Sequence, residues 1–319
     1  MSTTIMKYIS SLILLILCNI SCADSGRVFV SNERGNSVSV FDGETQKVIS
    51  TIPVGKRPRG VGVSPDGKEI YVAVSADNLI SVIDPLKLEV IRTFPCGDDP
   101  EAFAVHPNGN IYISNEEDAI ASVYDPTNGK LLDTIEVGLE PEGVAISPDG
   151  TKVAVTSEST NLIHIIGIPS HEILHNVVVG ARPRSATFSE DSSVVYVTSE
   201  ISGEIIKIDT SSGVIIQKAS LGDARAKPKD ILISANGEKL YVAGGRSNKV
   251  FVLTETDLKV RNSIPVGKRV WGLALSKDGT TLYTTDGVDH QVSVIDTITE
   301  KVSAIVPVGK FPWGVAIHE

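Results

Sequence analysis

Short apolar segments alternate with turn-forming residues along almost the whole chain, at intervals of about ten residues. In one unit of this pattern the apolar segments cover residues 60–63, 70–74, 80–83 and 90–94, and Asp, Asn, Gly and Pro residues separate them. Apolar runs of this length, rich in Val, Ile and Tyr and bounded by turn residues, predict β-strands. After residue 23, no segment has apolar residues at a sustained period of 3.6, so the pattern predicts no helix in residues 24–319.

This unit occurs seven times. Its marker is Val-Gly-x-x-Pro-x-Gly or a degenerate form of it, and the positions equivalent to the proline are Pro58, Pro100, Pro141, Pro183, Pro228, Val270 and Pro312. These positions are 41 to 45 residues apart, a period that is typical of repeat architectures. Four strands per unit predict a four-stranded sheet, and seven such sheets form a ring. We therefore predict an all-β protein with a single seven-bladed β-propeller of four-stranded antiparallel blades.

The two ends of the repeat predict how this ring closes. Residues 28–31 match the second strand of a unit, whereas residues 314–318 match the first strand. The C-terminal strand is therefore expected to complete the N-terminal blade. This arrangement closes the ring and removes the free sheet edges that promote aggregation.

The N-terminal segment does not follow the repeat. Lys7 precedes an apolar run, and small or polar residues follow that run, which is the arrangement of a signal peptide. Cleavage after Ala23 gives a periplasmic or secreted protein without an anchor, whereas cleavage before Cys22 leaves a lipid anchor in the membrane. We favour the first product. Residues 1–23 are therefore assigned to a signal peptide and residues 24–319 to the seven-bladed propeller.

The charge of the remaining chain narrows the class of partner. Without residues 1–23, the chain carries 28 basic and 39 acidic residues, a net charge of −11. Such a surface disfavours nucleic acid, because binding to phosphates requires basic surface. Cys96 is the one cysteine after residue 23. It stands where other units have valine, so we expect a buried apolar side chain and no internal disulfide.

The loop that enters each innermost strand should place charged and aromatic side chains near the axis of the ring. The residues directly after the proline position are Arg59, Glu101, Glu142, Arg184, Lys229, Trp271 and Trp313, and those directly before it are Arg57, Asp99, Glu140, Arg182, Lys227, Arg269 and Phe311. The loops after the second strands should lie on the same face and contribute Glu33, Asp77, Glu116, Glu158, Glu200, Arg246 and Asp286. Loops on a rigid scaffold often carry binding residues. The candidate ligand- or partner-binding residues are Arg57, Arg59, Glu101, Glu142, Arg182, Arg184, Lys229, Arg269, Trp271 and Trp313, surrounded by Glu33, Glu116, Glu158 and Glu200.

Two interpretations of these residues remain open. In the first, the basic residues and the tryptophans of neighbouring blades form a pocket for an anionic or aromatic ligand, or a docking surface for a protein. In the second, the charges pair with one another across the axis and the tryptophans fill the funnel. The sequence assigns no catalytic residue and no metal ligand, because its histidines are scattered and it contains no nucleophile motif.

Three units contain a similar tetrad at the second strand: Phe29-Val30-Ser31-Asn32, Tyr112-Ile113-Ser114-Asn115 and Tyr196-Val197-Thr198-Ser199. In this frame the tetrads resemble the YVTN-type β-propeller repeat family over residues 27–319. Segments 182–184 (Arg-Pro-Arg) and 311–315 (Phe-Pro-Trp-Gly-Val) are similar to the β-propeller proteins associated with pyrroloquinoline-quinone (PQQ)-dependent catabolism. The resemblance implies export to the periplasm, in a setting near quinoprotein dehydrogenases and cytochromes c. It implies neither catalytic residues nor a bound cofactor.

We therefore expect an exported, non-catalytic binding or scaffold protein, accessory to a periplasmic PQQ-dependent oxidative pathway and without a cofactor of its own. Its partner would be a periplasmic dehydrogenase, a cytochrome c or a small anionic ligand. The alternative is a lactonase-type hydrolase at the funnel. In that enzyme Glu101 or Glu142 would act as the base, and Arg59 or Arg184 would stabilise the oxyanion. No feature of the sequence selects one of these pairs.

Overall fold

Seven four-stranded antiparallel sheets form the structure and confirm the predicted seven-bladed propeller. The computed structural model describes residues 26–319, and the predicted signal peptide, with both of its cleavage sites, lies outside them. From the axis outwards, the strands are β28 (Pro312–His318), β1 (Arg27–Asn32), β2 (Ser37–Asp42) and β3 (Val48–Pro53) in blade 1; β4 (Pro58–Val63), β5 (Ile70–Val74), β6 (Leu79–Asp84) and β7 (Glu89–Pro95) in blade 2; β8 (Pro100–Val105), β9 (Ile111–Asn115), β10 (Ile120–Asp125) and β11 (Lys130–Glu136) in blade 3; and β12 (Pro141–Ile146), β13 (Lys152–Ser157), β14 (Leu162–Gly167) and β15 (Ile173–Val178) in blade 4. The remaining strands are β16 (Pro183–Phe188), β17 (Val194–Ser199), β18 (Glu204–Asp209) and β19 (Ile215–Ser220) in blade 5; β20 (Ile231–Ile233), β21 (Lys239–Ala243), β22 (Lys249–Thr254) and β23 (Val260–Pro265) in blade 6; and β24 (Val270–Leu275), β25 (Thr281–Asp286), β26 (Gln291–Asp296) and β27 (Lys301–Pro307) in blade 7.

The ring is continuous around its axis. Each innermost strand contacts the innermost strands of both neighbouring blades. In blade 1 the C-terminal β28 pairs antiparallel with the N-terminal β1, with Arg27 opposite His318 and Val30 opposite Val315. The predicted closure of the ring by the C-terminal strand is therefore confirmed, and β1 is hydrogen-bonded on both of its edges.

The apolar core lies between the blades, in seven clusters that each draw on two neighbouring sheets. Phe29 and Val38 of blade 1, for example, pack against Val72 of blade 2. Cys96 is buried between blades 2 and 3, as predicted, and burial raises the pKa of its thiol to about 12. Because each blade covers the faces of its neighbours, blade-to-blade packing holds the inner strands in fixed positions.

Two local features differ from the regular blade. The loop after β5 contains a single 3-10 turn at Ser75–Asp77, the one helical segment within residues 26–319 and too short for an α-helix. In blade 6 the innermost strand has only three residues. It is short because residues 227–230 leave the regular ladder, although the Lys229 N–H still donates to the Ala243 carbonyl at 2.9 Å.

No helix in the described range has the length and apolar character needed to cross a bilayer.

Deleting residues 312–319 should prevent the ring from closing. The truncated chain lacks β28, so the edge of β1 and the apolar face of blade 7 become exposed. We expect it to aggregate and to lose the cooperative thermal transition, as followed by light scattering and circular dichroism. Removing Glu319 alone, which lies beyond β28, is the control and should leave the midpoint nearly unchanged. A soluble truncated protein with a cooperative transition would contradict the closure.

Candidate functional site

Hydrogen bonds hold the loops that carry the axial side chains in one shape. In blade 2 the Ser75 N–H donates to the Arg57 carbonyl at 3.1 Å, and the equivalent bond joins the two loops of blades 1, 3, 4, 5 and 7. The residue before the proline position has a left-handed φ in these six blades, 61° at Arg57. The backbone N–H of this residue can donate to an asparagine side chain of the preceding blade. The Arg57 N–H donates to Asn36 at 3.2 Å, and the Arg269 N–H donates to Asn248 at 3.0 Å. The side chains on this face are therefore preorganised.

Hydroxyl groups of the second strands set the positions of several axial residues. Thr198 Oγ1 accepts a backbone N–H of its own blade at 3.0 Å and donates to the Lys229 carbonyl of the next blade at 2.9 Å. Thr285 donates to the Trp313 carbonyl at 2.8 Å, and Ser114 makes the same link between blades 3 and 4. Ser114 and Thr198 are the third residues of their tetrads. This repeat position thus ties neighbouring inner strands together beside the axis.

In blades 2 and 3 the axial charges pair with one another. The fully buried Glu101 carboxylate contacts the Arg59 guanidinium, and Arg57 lies 3.8 Å from its other oxygen. Glu33 of blade 1 lies 3.3 Å from Arg59 and 3.6 Å from Arg57. Asp99 lies 3.3 Å from Arg57. Three carboxylates therefore neutralise both arginines in this part of the ring.

A second charge network joins blades 4, 5 and 6. Glu142 is buried and contacts Arg184, at 2.7 Å, and Lys229. Arg184 also contacts Glu158, which lies 2.6 Å from Arg182. Burial opposes the ionised form of Glu142, but the surrounding cations outweigh it and lower the pKa of the carboxyl to about 2. Glu142 therefore stays ionised at any physiological pH.

Lys229 lies between this network and the two tryptophans. Its ammonium nitrogen is 5.1 Å from the ring centroids of both Trp271 and Trp313, whose rings are 6.4 Å apart. Burial of the side chain and the charge of Arg184 lower the pKa of Lys229 to about 7, against the opposing field of Glu142. The faces of the indole rings stabilise the charged form. The charge of Lys229 is therefore expected to change near neutral pH.

On blades 6, 7 and 1 the loop face carries three arginines that form no ion pair within the described part of the chain. The guanidinium groups of Arg34, Arg246 and Arg269 form neither an ion pair nor a hydrogen bond within residues 26–319. Arg269 stacks on Trp271 at 4.9 Å, and Arg34 stacks on Phe311 at 4.3 Å. Burial, followed by the nearby charge of Arg246, lowers the pKa of Arg269. We call blades 2–5, where the axial charges are paired, the paired sector of the loop face. We call the part of blades 6, 7 and 1 that carries Arg34, Arg246 and Arg269 the unpaired sector, although Lys229 of blade 6 and Glu33 of blade 1 belong to the paired networks.

A hollow of about 180 Å³ opens in the unpaired sector, between blades 7 and 1. Its lining includes Glu33, Arg34, Arg269, Trp271, Phe311 and Trp313. Glu33 pairs with Arg57 and Arg59 and attracts Arg269 at longer range, but neither Arg34 nor Arg269 forms an ion pair within residues 26–319. The enclosed indole N–H of Trp313 has no acceptor among the described residues. Cationic groups and an unused N–H donor together suit an anionic ligand.

Asp230 also belongs to the axial site, although the repeat did not select it. The equivalent residues of the other blades are Gly60, Ala102, Gly143, Ser185, Gly272 and Gly314. The Asp230 carboxylate accepts from the Ser185 hydroxyl at 2.8 Å and from the Leu273 N–H at 2.9 Å, which ties blade 6 to both neighbours. Burial raises its pKa. A carboxylate in a column of small residues is the sequence signal that could have revealed it.

Three acids of blade 3 lie close together. Carboxylate oxygens of Asp99, Glu101 and Glu116 are within 4.8 Å of one another, and burial raises the pKa of Glu116. The guanidinium groups of Arg57 and Arg59 already contact the first two acids. Since these arginines occupy the space and supply the counter-charge, the cluster does not make a candidate cation site.

The two interpretations left open by the sequence describe different parts of the ring. Most of the candidate residues form ion pairs, as the second interpretation expects: Arg57, Arg59, Glu101, Glu142, Arg182, Arg184, Lys229, Glu33, Glu158 and Glu200. Arg269, Trp271 and Trp313 instead form an open, basic surface with tryptophans, as the first interpretation expects. Glu116 has no ion-pair partner within residues 26–319. Arg34 and Asp230 lie outside the predicted set.

Glu142→Gln should destabilise the ring far more than Lys229→Met. Removing one partner of a buried ion pair costs about 3–5 kcal/mol, and we expect the lower end because Arg184 keeps Glu158. Lys229→Met removes a poorly solvated charge while Arg184 still neutralises Glu142, so the free energy of unfolding should fall by about 1.5 kcal/mol or less. Urea denaturation of both variants measures the difference. Equal losses would be incompatible with this assignment of the network.

The stability of the protein should rise with pH between about 7 and 10 through Lys229. Its folded pKa of about 7 lies below the unfolded value of about 10.4. The unfolded state therefore binds more protons in this window, and the free energy of unfolding increases with pH. Urea denaturation at several pH values should show this rise in the wild type and not in Lys229→Met. Tryptophan emission should show a midpoint near pH 7 that the variant lacks; a midpoint that persists would belong to another group.

Comparison with known proteins identifies the fold and no family. No protein-family model and no curated protein matches the sequence. Kuenenia stuttgartiensis hydrazine synthase has a TM-score of 0.79 and 23% identity, over 86% of this chain and 93% of that chain. A functionally unknown protein from Desulfotomaculum acetoxidans DSM 771 has a TM-score of 0.80 and 18% identity, over 92% of this chain and 98% of that chain. Dihydro-heme d1 dehydrogenase NirN in complex with DHE has a TM-score of 0.70 and 14% identity, over 92% of this chain and 75% of that chain. This similarity shows the propeller fold, and the closeness to the YVTN-type and PQQ-associated proteins stays a prediction.

Proposed function

We propose that this chain is an exported, non-catalytic binding protein that serves a periplasmic oxidative pathway through the unpaired sector of its loop face. One observation carries the proposal. The guanidinium groups of Arg34, Arg246 and Arg269 have no carboxylate partner within residues 26–319, on a face whose other axial charges are largely paired. Unpaired arginines beside tryptophans suit an acidic protein surface or an anionic ligand, because charge complementarity gives specificity and tryptophan and arginine dominate binding energy.

The same geometry disfavours the hydrolase alternative. A general base works best with a pKa near the operating pH, whereas the pKa of Glu142 is held at about 2. Glu101 is fully buried and its carboxylate is engaged by Arg59, so a water and a lactone have no open side from which to approach it. Arg184, which would stabilise the oxyanion, is engaged by three carboxylates. The residues that the reaction would need are therefore occupied within the networks.

The oxidative setting is supported by segments 182–184 and 311–315, which resemble the PQQ-associated propellers. The solved neighbours share the fold alone, and two of them are named as hydrazine synthase and dihydro-heme d1 dehydrogenase. Propellers of this shape therefore also occur in redox enzymes. We infer that the partner is a quinoprotein dehydrogenase or a cytochrome c, docking with acidic groups on blades 6, 7 and 1.

A photo-crosslinking amino acid at Val288 should capture this partner, whereas one at Leu139 should not. Val288 is exposed on blade 7, in the unpaired sector. Leu139 is a matched control because it is exposed on the entry loop of blade 4, in the paired sector of the same face. The proteins to test are the purified PQQ-dependent dehydrogenase and c-type cytochrome of the same organism. The double variant Arg246→Gln, Arg269→Gln should reduce capture at Val288 at least tenfold, and added salt should weaken capture by screening.

Equal capture at the two positions would contradict recognition by the unpaired sector. Capture of neither protein at Val288 would reject the proposed partners. In that case the small-molecule fraction of the exported compartment should change the emission of Trp271 and Trp313, the two tryptophans of the chain. If that fraction also leaves the emission unchanged, the proposed function is wrong.

A further inference from the structure

The hollow between blades 7 and 1 is built around two arginines that aromatic rings hold in place. Arg34 lies over the Phe311 ring at 4.3 Å, and Arg269 lies over the Trp271 ring at 4.9 Å. Stacking restricts these side chains before any ligand arrives, so less conformational entropy is lost on binding. The guanidinium N–H groups of both arginines are without acceptors in the described part of the chain. Two preorganised forks with unused donors therefore flank one hollow.

The electrostatics of the hollow favour an anion with more than one negative charge. Glu33 is in the lining, but Arg57 and Arg59 already share it. Arg246 repels Arg269, while Glu200 and Glu33 attract it without coming within ion-pair distance. A bound dianion supplies the missing counter-charge to both sides of the hollow.

One residue that lines the hollow carries a buried hydrogen-bond donor without an acceptor. Trp313 lines the hollow, and its indole N–H is enclosed and unpaired among residues 26–319. Leaving a buried donor unsatisfied is unfavourable. A ligand oxygen that reaches this N–H satisfies it, whereas an apolar ligand does not.

We propose that this hollow binds a small dicarboxylate, with one carboxylate on Arg34 and the other on Arg269. The inference rests on the proposed function and adds the chemical class of ligand. An arginine fork binds a carboxylate through two parallel N–H···O bonds, and the volume of about 180 Å³ limits the ligand to a small molecule. Two carboxylates on a short frame match two separate forks, whereas phosphate concentrates its charge at one point.

The test is a titration of the full chain at low ionic strength, followed by tryptophan emission and by calorimetry. Succinate and butyrate have the same number of carbons and differ by one carboxylate, and inorganic phosphate supplies the other kind of oxyanion. We expect succinate to bind at least tenfold more tightly than butyrate or phosphate. Both tryptophans of the chain lie in this sector, so emission reports binding there.

Variants then assign the binding to the two forks. Arg34→Gln and Arg269→Gln should each weaken succinate binding at least tenfold and remove the preference over butyrate. Arg34→Lys keeps the charge but not the fork, so it should also weaken binding. Arg261→Gln is the matched control, because it removes the same charge from an exposed position on the outermost strand of blade 6. It should leave the affinity unchanged.

The outcomes separate this inference from the proposed function. Succinate binding no tighter than butyrate, tighter binding of phosphate, or an equal loss in Arg261→Gln would overturn the dicarboxylate assignment. Capture of the partner at Val288 together with such a result would keep the proposed function and reject this ligand class. Specific succinate binding without capture would support the site and reject the partner proteins.

Discussion

In four of the seven blades, a hydroxyl in the second strand links one blade to the next beside the axis. It accepts from the inner strand of its own blade and, in blades 1, 3, 5 and 7, donates to the carbonyl of the next axial residue. Blades 2 and 6 have an alanine at this position, Ala73 and Ala243, and cannot make the link. In blade 6 the Asp230 carboxylate accepts from the Leu273 N–H of blade 7, which makes a different link to the next blade.

This rigid attachment allows charges to be buried beside the axis. Taking a carboxylate and a guanidinium out of water is costly, and the attraction between them compensates only when their geometry is good. The inner strands supply that geometry, because the backbone of Glu142 and the backbone of Lys229 are each held by a hydroxyl of the preceding blade. The pairs then follow from ring order, with acid and base on adjacent or next-adjacent blades. The charge network is thus a consequence of the fold as much as of the residues.

The sequence predicted the repeat, the blade number and the ring closure because these depend on periodic features that every unit shares. It also placed Trp271 and Trp313 in neighbouring blades. It could not separate paired from unpaired charges, since pairing depends on side-chain reach across blades that are far apart in the chain, as between Glu142 and Lys229. Arg34 follows a loop acid and has no repeat counterpart, so only its contact with Phe311 identifies it. Asp230 was not predicted, because only its unit has a carboxylate at a position where the other units have a small residue.

Lys229 connects the two sectors of the loop face. On one side it contacts Glu142 of the paired network, and on the other it lies 5.1 Å from both tryptophan rings. These rings form part of the lining of the hollow between Arg34 and Arg269. A proton on Lys229 therefore adds positive potential directly behind the hollow, and its loss leaves the two arginines to act alone. Because a pKa of about 7 divides these states near neutral pH, the charge network that stabilises the ring also affects the potential of the proposed binding surface.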